Sequence, residues 1–379
     1  MRAGTVGLLL VVFGAAGVAA QDSQFGIRAP GTPGKPESVR ARSTGGAFAL
    51  FDPLSPFSEA ALADIGRLAA GAVGTATFRT ADLGGVSSSL RTPSFPLLTI
   101  GGPVGKRFFV GGGFSTYLDR SYQVVVKDSA LLRGVEERYT DRFLSNGGIS
   151  DLRVAAAMRI SPRVAIGVAA HLITGSTLST TSRTWADSTL YQSATESGTE
   201  QYDGAGISAS VLLDPTAHLR LAGFARTDTR LATKVKGTTT NTVGLPASLG
   251  AAVLWQPSPE ARVGAGVTWR GWKSGLSAGQ TGGLGAGGGA ANAFNTVNWS
   301  LGAELGGDKL PLRVGVRGGQ MPFGPDASAP TESGFSVGTG RSFAEGRAHI
   351  DVGVERLSRS GGGLTEHLWT FLAGLTVRP

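Results

Sequence analysis

The sequence predicts an all-β protein, a transmembrane antiparallel β-barrel of about 14 strands with an N-terminal plug segment. Three observations carry that prediction. Hydrophobic residues make up 41% of the 379 positions and charged residues only 16%, where soluble domains carry about 25% charge. From about residue 149 onward, apolar residues alternate with polar or small ones, the period of a strand. Short Pro or Gly breaks also alternate with long polar stretches, giving tight turns at one end and long loops at the other.

Composition excludes several function classes. The net charge is +8, but the basic residues are scattered singly, whereas a nucleic-acid binder needs a patch or stripe to meet successive phosphates. Zero cysteines exclude a disulfide scaffold, a thiolate metal site, a cysteine nucleophile and a lipid-anchored N-terminal Cys. Glycine, at 59 residues, follows no collagen period, and the apolar content is too high for a disordered chain.

Residues 1–20 have the plan of a signal peptide. Arg2 gives a positive start, Val6 to Val12 an apolar core, and Ala15 to Ala20 a run of small residues before Gln21-Asp22-Ser23. Cleavage is expected after Ala20, because the apolar stretch falls short of the roughly 20 residues that span a bilayer as a helix. The mature chain is therefore expected to be exported and to span the outer membrane of a Gram-negative-type bacterium as strands, in contact with its lipids.

Residues 21–68 do not alternate. Gly31 to Pro36 is turn-rich, and a short helix is expected from Glu59 to Leu68, capped by Ser58 with a Phe57–Leu62 staple. The apolar Phe48, Leu50, Phe51 and Phe57 favour a plug folded into the lumen over a free tail.

Residues 69–379 are expected to form the barrel. Strands are read near 69–79, 94–101, 107–117, 148–160, 163–175, 201–213, 217–230, 243–256, 260–273, 296–306, 311–320, 332–343, 347–359 and 365–377. A further hairpin between 118 and 147 would raise the number to 16. Leu152, Val154, Val267, Trp299 and Val352 fall on a face that almost never carries charge; Asp151, Arg153, Arg270, Asp351 and Glu355 fall on the other. A soluble sandwich alternates too, but here the second face is rich in Gly, Ser and Thr, as a lumen lining would be. The long loops are expected at Ser176–Glu200, Asp228–Asn241, Ser274–Asn295 and Gln320–Ser333.

The Gly45-Gly46-Ala47-Phe48 run, the Asp that follows and the Ala-rich helix resemble the N-terminal region of FadL-type outer-membrane proteins. The closing strand, Glu366 to Arg378 with Trp369 and Gly374-Leu375, is similar to the end of such barrels. The family's common Asn-Pro-Ala is replaced here by Ser58-Glu59-Ala60, and the chain ends on Arg378-Pro379 rather than an aromatic residue. The resemblance implies a fourteen-stranded barrel with an N-terminal plug that passes long-chain fatty acids or aromatic hydrocarbons. A non-transport barrel serving as an attachment or secretion-associated scaffold is the alternative.

Enzyme and cofactor motifs are weak. Gly334-Phe335-Ser336-Val337-Gly338 fits the nucleophile-elbow pattern without its strand-to-helix context. Gly283, Gly285 and Gly288 fit a dinucleotide pattern inside a low-complexity loop. His171, His218, His349 and His367 lack metal-site spacing. No enzyme activity, cofactor or metal is therefore expected, although a Ser and a His brought together only by folding would leave no motif. The candidate substrate-binding residues are Arg220, Arg226, Arg262, Arg270, Arg313 and Arg317, inward on neighbouring strands and able to attract an amphipathic anion. Gly45, Gly46, Phe48 and Phe51 are the candidate plug residues, the phenylalanines lining an exit and the glycines giving the backbone freedom to move.

Overall fold

The computed structural model describes Phe25 and residues 30–83, 86–274, 292–307, 310–324 and 326–379. The expected signal peptide and the Gly283–Gly288 motif lie outside the described residues. Fourteen strands form the wall. They are β1 (Ala69–Leu83), β2 (Val86–Pro103), β3 (Phe108–Asp119), β4 (Val135–Ser161), β5 (Val164–Trp185), β6 (Ala194–Thr216) and β7 (Leu219–Asp228). The second half holds β8 (Ser248–Ser258), β9 (Ala261–Arg270), β10 (Thr296–Leu305), β11 (Leu312–Gln320), β12 (Thr331–Phe343), β13 (Ala348–Gly361) and β14 (Leu364–Val377). Each pairs antiparallel with its neighbours, and β14 returns to β1 through Ala70↔Val377 and Phe78↔Trp369. The sheet has no free edge left to satisfy, which is what a bilayer requires.

The two faces fall as the alternation predicts. Val352 is 46% exposed and its neighbour Asp351 9%. Val154, Val168, Trp299, Phe371 and Leu375 are exposed on the outside, while Arg153, His171, Glu304, Glu355 and Glu366 are buried within. An outward apolar band with a polar interior gives acyl chains one surface and solute the other.

Three expectations are corrected. The hairpin between 118 and 147 exists, but it does not enter the wall. Tyr122–Leu132 pairs only with the far half of β4 (Tyr122↔Ser145), and β3 meets β4 directly at Phe114↔Leu152. The stretches 176–200 and 228–241 are largely strand rather than loop. β5 and β6 stay paired out to Arg183↔Ala194, and Arg230–Val235 pairs with Thr238–Gly244. Their Ser- and Thr-rich sequence loses the apolar alternation because no lipid touches it, yet β-branched residues still favour extended pairing. Thirdly, the helix expected at Glu59–Leu68 is one 3-10 turn, Ala60–Asp64, ended by extended Ile65. Phe57 packs against the apolar cluster that holds Leu62, and its ring also meets Phe224 at 6.3 Å between centroids.

The described part of the N-terminal segment packs against the inner face of the wall. Thr32 and Pro33 pair with Asp119 and Leu118 at the long-loop end of β3. A five-residue helix, α1 (Val39–Ser43), is capped by Ser38, whose Oγ accepts from Ala41 N at 3.1 Å. It leans on β11–β14, and the 3-10 turn leans on β2–β6. Glycine on the inner face permits this approach. A Cβ on Gly315 would sit 2.1 Å from the carbonyl carbon of Thr44, and one on Gly338 would sit 2.1 Å from Ser43 Oγ. Gly338 belongs to the elbow-like pattern, whose Ser336 accepts from Gly45 N at 3.1 Å. That pattern is thus a close-packing surface for the segment.

Candidate functional site: the lumen network and its cavities

Five of the six candidate arginines already hold carboxylates. Arg220 bonds Asp214 at 2.7 Å and Asp64 at 2.6 Å; Arg226 bonds Asp151 at 2.6 Å and Asp228 at 2.9 Å. Arg262 and Arg313 both reach Glu304, at 2.7 and 2.8 Å, and Arg313 also reaches Asp351 at 2.5 Å. Arg317 lies 3.3 Å from Glu355 and 3.5 Å from Glu332. Arg270 differs: among the described residues, no carboxylate oxygen lies within ion-pair distance of its guanidinium.

The segment is tied to the wall by charge as well as by close packing. Its cations Lys35, Arg40 and Arg42 meet the wall acids Glu332, Glu304 and Glu355. Its acids Glu59 and Asp64 meet Arg153, Arg159 and Arg220. Burial, reinforced by the nearby Arg317, pushes the Lys35 ammonium down to about 7 even with Glu332 at 2.8 Å. Removing one partner of such a buried pair leaves an uncompensated charge, which is far costlier than losing a surface pair.

The four plug candidates sit inside this structure. Gly45 (φ 68°) and Gly46 (φ 96°) end α1 in left-handed backbone, and Gly46 N donates to Ala41 O at 2.8 Å. They shape a helix end, where glycine escapes the Cβ penalty. Phe48 and Phe51 are buried in a cluster with Leu62, Ala155, Leu212 and Leu254. The Arg40 guanidinium lies 5.5 Å from the Phe48 ring centroid. Both rings fill lumen space.

Two cavities adjoin above this cluster, of about 140 and about 60 Å³. Pro33, Gly34, Phe57, Phe224, Arg270 and Trp272 line both. Arg270 is thus a cation beside apolar rings, with Glu37 acting on it through space but no carboxylate in direct contact among the described residues. That arrangement suits a molecule with an apolar body and an anionic end.

The smaller cavity also touches a group of polar residues that no motif announced. His171 Nδ1 lies 2.9 Å from both Asp151 oxygens, and its Nε2 lies 2.8 Å from Ser208 Oγ. Ser208 Oγ donates to Glu59 Oε1 at 2.7 Å. The only sequence signal was that Asp151 and His171 both interrupt apolar strands on the inward face; Ser208 looks like any small lumen residue. The order resembles a catalytic triad, but Ser208 Oγ is shared between the imidazole and the Glu59 carboxylate at 2.7 Å, so the hydroxyl is not held by a base alone as in an activated nucleophile.

No family model and no curated protein matches this sequence. Solved structures do. A FadL homologue of Pseudomonas aeruginosa aligns with 92% of this chain and 99% of its own at 13% identity, with a TM-score of 0.63. The Pseudomonas putida toluene transporter TodX aligns with 92% of this chain and 99% of its own at 12% identity and a TM-score of 0.58. The CymD monoaromatic hydrocarbon channel covers 92% and 98% at 13% identity, with a TM-score of 0.57. At such identities the likeness is one of architecture, and the chain has the fourteen-stranded FadL-type barrel fold.

Proposed function

We propose that this protein is an outer-membrane channel for hydrophobic or amphipathic small molecules, and that Arg270 recognises the anionic end of carboxylated ones. The observation that carries the reading is the pair of adjoining cavities where Arg270, without a carboxylate partner among the described residues, stands beside Phe57, Phe224 and Trp272. The other five arginines serve as wall and as anchors for the N-terminal segment, which acts as the plug. The barrel fold shared with a FadL homologue, a toluene transporter and a hydrocarbon channel supports the same class of solute. Removal of residues 1–20 as a signal peptide fits export to that membrane.

The test is equilibrium binding of an alkyl carboxylate and of the alcohol of equal chain length. Arg270→Gln should weaken carboxylate binding on the order of tenfold or more, the worth of a charge-assisted hydrogen bond, and leave the alcohol unchanged. Arg262→Gln should leave both unchanged. Equal carboxylate affinity in wild type and Arg270→Gln would refute the assignment of Arg270.

A further inference from the structure

The contacts around Ser208 impose a proton count. Ser208 Oγ carries one hydrogen, yet it stands 2.7 Å from Glu59 Oε1 and 2.8 Å from His171 Nε2. Asp151, at 2.9 Å through both oxygens, holds the Nδ1–H of the imidazole. With Glu59 ionised and His171 neutral, both atoms flanking Ser208 would be bare acceptors. One hydrogen cannot serve two such contacts, and the other would set lone pair against lone pair. A second proton must therefore sit on His171 Nε2 or on Glu59, and Ser208 can pass it between them. All three side chains are buried.

The surroundings favour that extra proton. The charged groups around it are Asp151 on β4, which holds His171, and Arg153, which meets Glu59 on the segment; one contact further out, Arg226 on β7 pairs with Asp151 and Asp228 pairs with Arg226. Three acids thus face two arginines, and one proton on the His171–Glu59 pair restores neutrality. Tyr117 on β3 donates to Asp228 at 2.9 Å, and Arg270 on β9 lines the same small cavity without touching the pair. The packing is close: a Cβ on Gly167 would lie 2.5 Å from Glu59 Cβ, and Ala60 N donates to Ser210 Oγ at 2.8 Å.

We propose that Glu59, Ser208 and His171 form a binding site for a single proton that clasps the N-terminal segment to the wall, closed with the proton bound and open once it leaves. The sign follows from the count. Raising the pH removes the shared proton, costs one of the two short contacts and leaves a buried net negative charge, so the turn at Ala60–Asp64 loosens. Lowering the pH closes it. The clasp concerns the segment and a proton alone, so it stands or falls independently of which solute the lumen passes.

Nuclear magnetic resonance on the full mature chain in nanodiscs reads the proton directly. Replacing His218, His349 and His367 by Gln leaves His171 as the only ¹⁵N-labelled imidazole without touching the clasp. At about pH 5, below the ordinary imidazole range, either His171 should be doubly protonated or the Glu59 carboxyl should be protonated. In Glu59→Gln, whose amide can donate to Ser208, His171 should become singly protonated. A neutral His171 beside an ionised Glu59 at about pH 5 would overturn the proposal.

A second readout reports the clasp mechanically. In this cysteine-free chain, labelling of Ala63→Cys is normalised to a cysteine at exposed Ser197. It should rise on the order of tenfold between about pH 5 and about pH 9, the worth of one charge-assisted hydrogen bond. With Ser208→Ala added, labelling should be fast at both pH values. Identical pH profiles with and without Ser208 would also overturn it.

Discussion

Arg262 and Arg270 share a strand and point to the same side of the wall, yet their surroundings give them different work. Arg262 shares Glu304 with Arg40 and Arg313, so its charge is met by an acid that also holds the segment; Arg270 has no such direct partner among the described residues. No sequence feature separates the two, because the acids that neutralise one arginine come from distant parts of the chain. The inward direction of both was legible; their partners were not. The opposite face gives a sharper expectation. Val352 is exposed on the outer surface, and arginine at an outward midplane position costs about 2–4 kcal/mol. Asp351→Asn leaves Arg313 with Glu304 at 2.8 Å. Val352→Arg should therefore lower the yield of folded, heat-modifiable barrel far more than Asp351→Asn; equal yields would mean that the faces are misassigned.

At the scale of elements, strands were legible where they touch lipid and obscure where they do not. Leu152 to Ile160 on β4 alternate against Asp151, Arg153 and Arg159, and the pairing follows. The same strand continues back to Val135 through Arg138, Thr140 and Arg142, where no apolar face needs burial and backbone pairing together with cross-strand contacts such as Asp141–Arg183 and Tyr139–Trp185 keeps it extended. Helix α1 was invisible for a related reason: five residues give no periodicity, and Val39-Arg40-Ala41-Arg42-Ser43 owes its position to the acids and glycines around it. Those glycines make a prediction. Gly315→Ala would place a methyl group 2.1 Å from Thr44 C and 2.2 Å from Gly45 N, and overpacking of this kind costs about 1–3 kcal/mol. The barrel should still form, because the outer face and the β-ladder are untouched, while the segment is displaced. Limited proteolysis should then cut within residues 30–68 at least severalfold faster than in wild type. Unchanged proteolysis would show that the segment is not held by this contact.

For the molecule as a whole, the asymmetry between its two ends sets the orientation. The turn at Pro257–Pro259 joins β8 to β9 at the short-turn end, while β9 ends and β10 begins at the other. A protease site or epitope inserted within Ser274–Asn295 should be reached from outside intact cells, and one at Pro257–Pro259 should be reached only after the outer membrane is opened. Labelling at the proline turn alone would invert the orientation. Inside the wall, ion pairs of Lys35, Arg40, Arg42 and Glu59, with an exposed one at Asp64, hold the N-terminal segment at several points along its length. Passage of a solute is therefore expected to need local loosening of the segment rather than its wholesale exit. The most direct measurement is flux of a radiolabelled long-chain carboxylate into proteoliposomes that hold the folded barrel. Flux should exceed that of protein-free vesicles, fall with Arg270→Gln and be blocked by a disulfide fastening the 60–64 turn to β5. A folded barrel that carries the carboxylate no faster than protein-free vesicles would contradict the account.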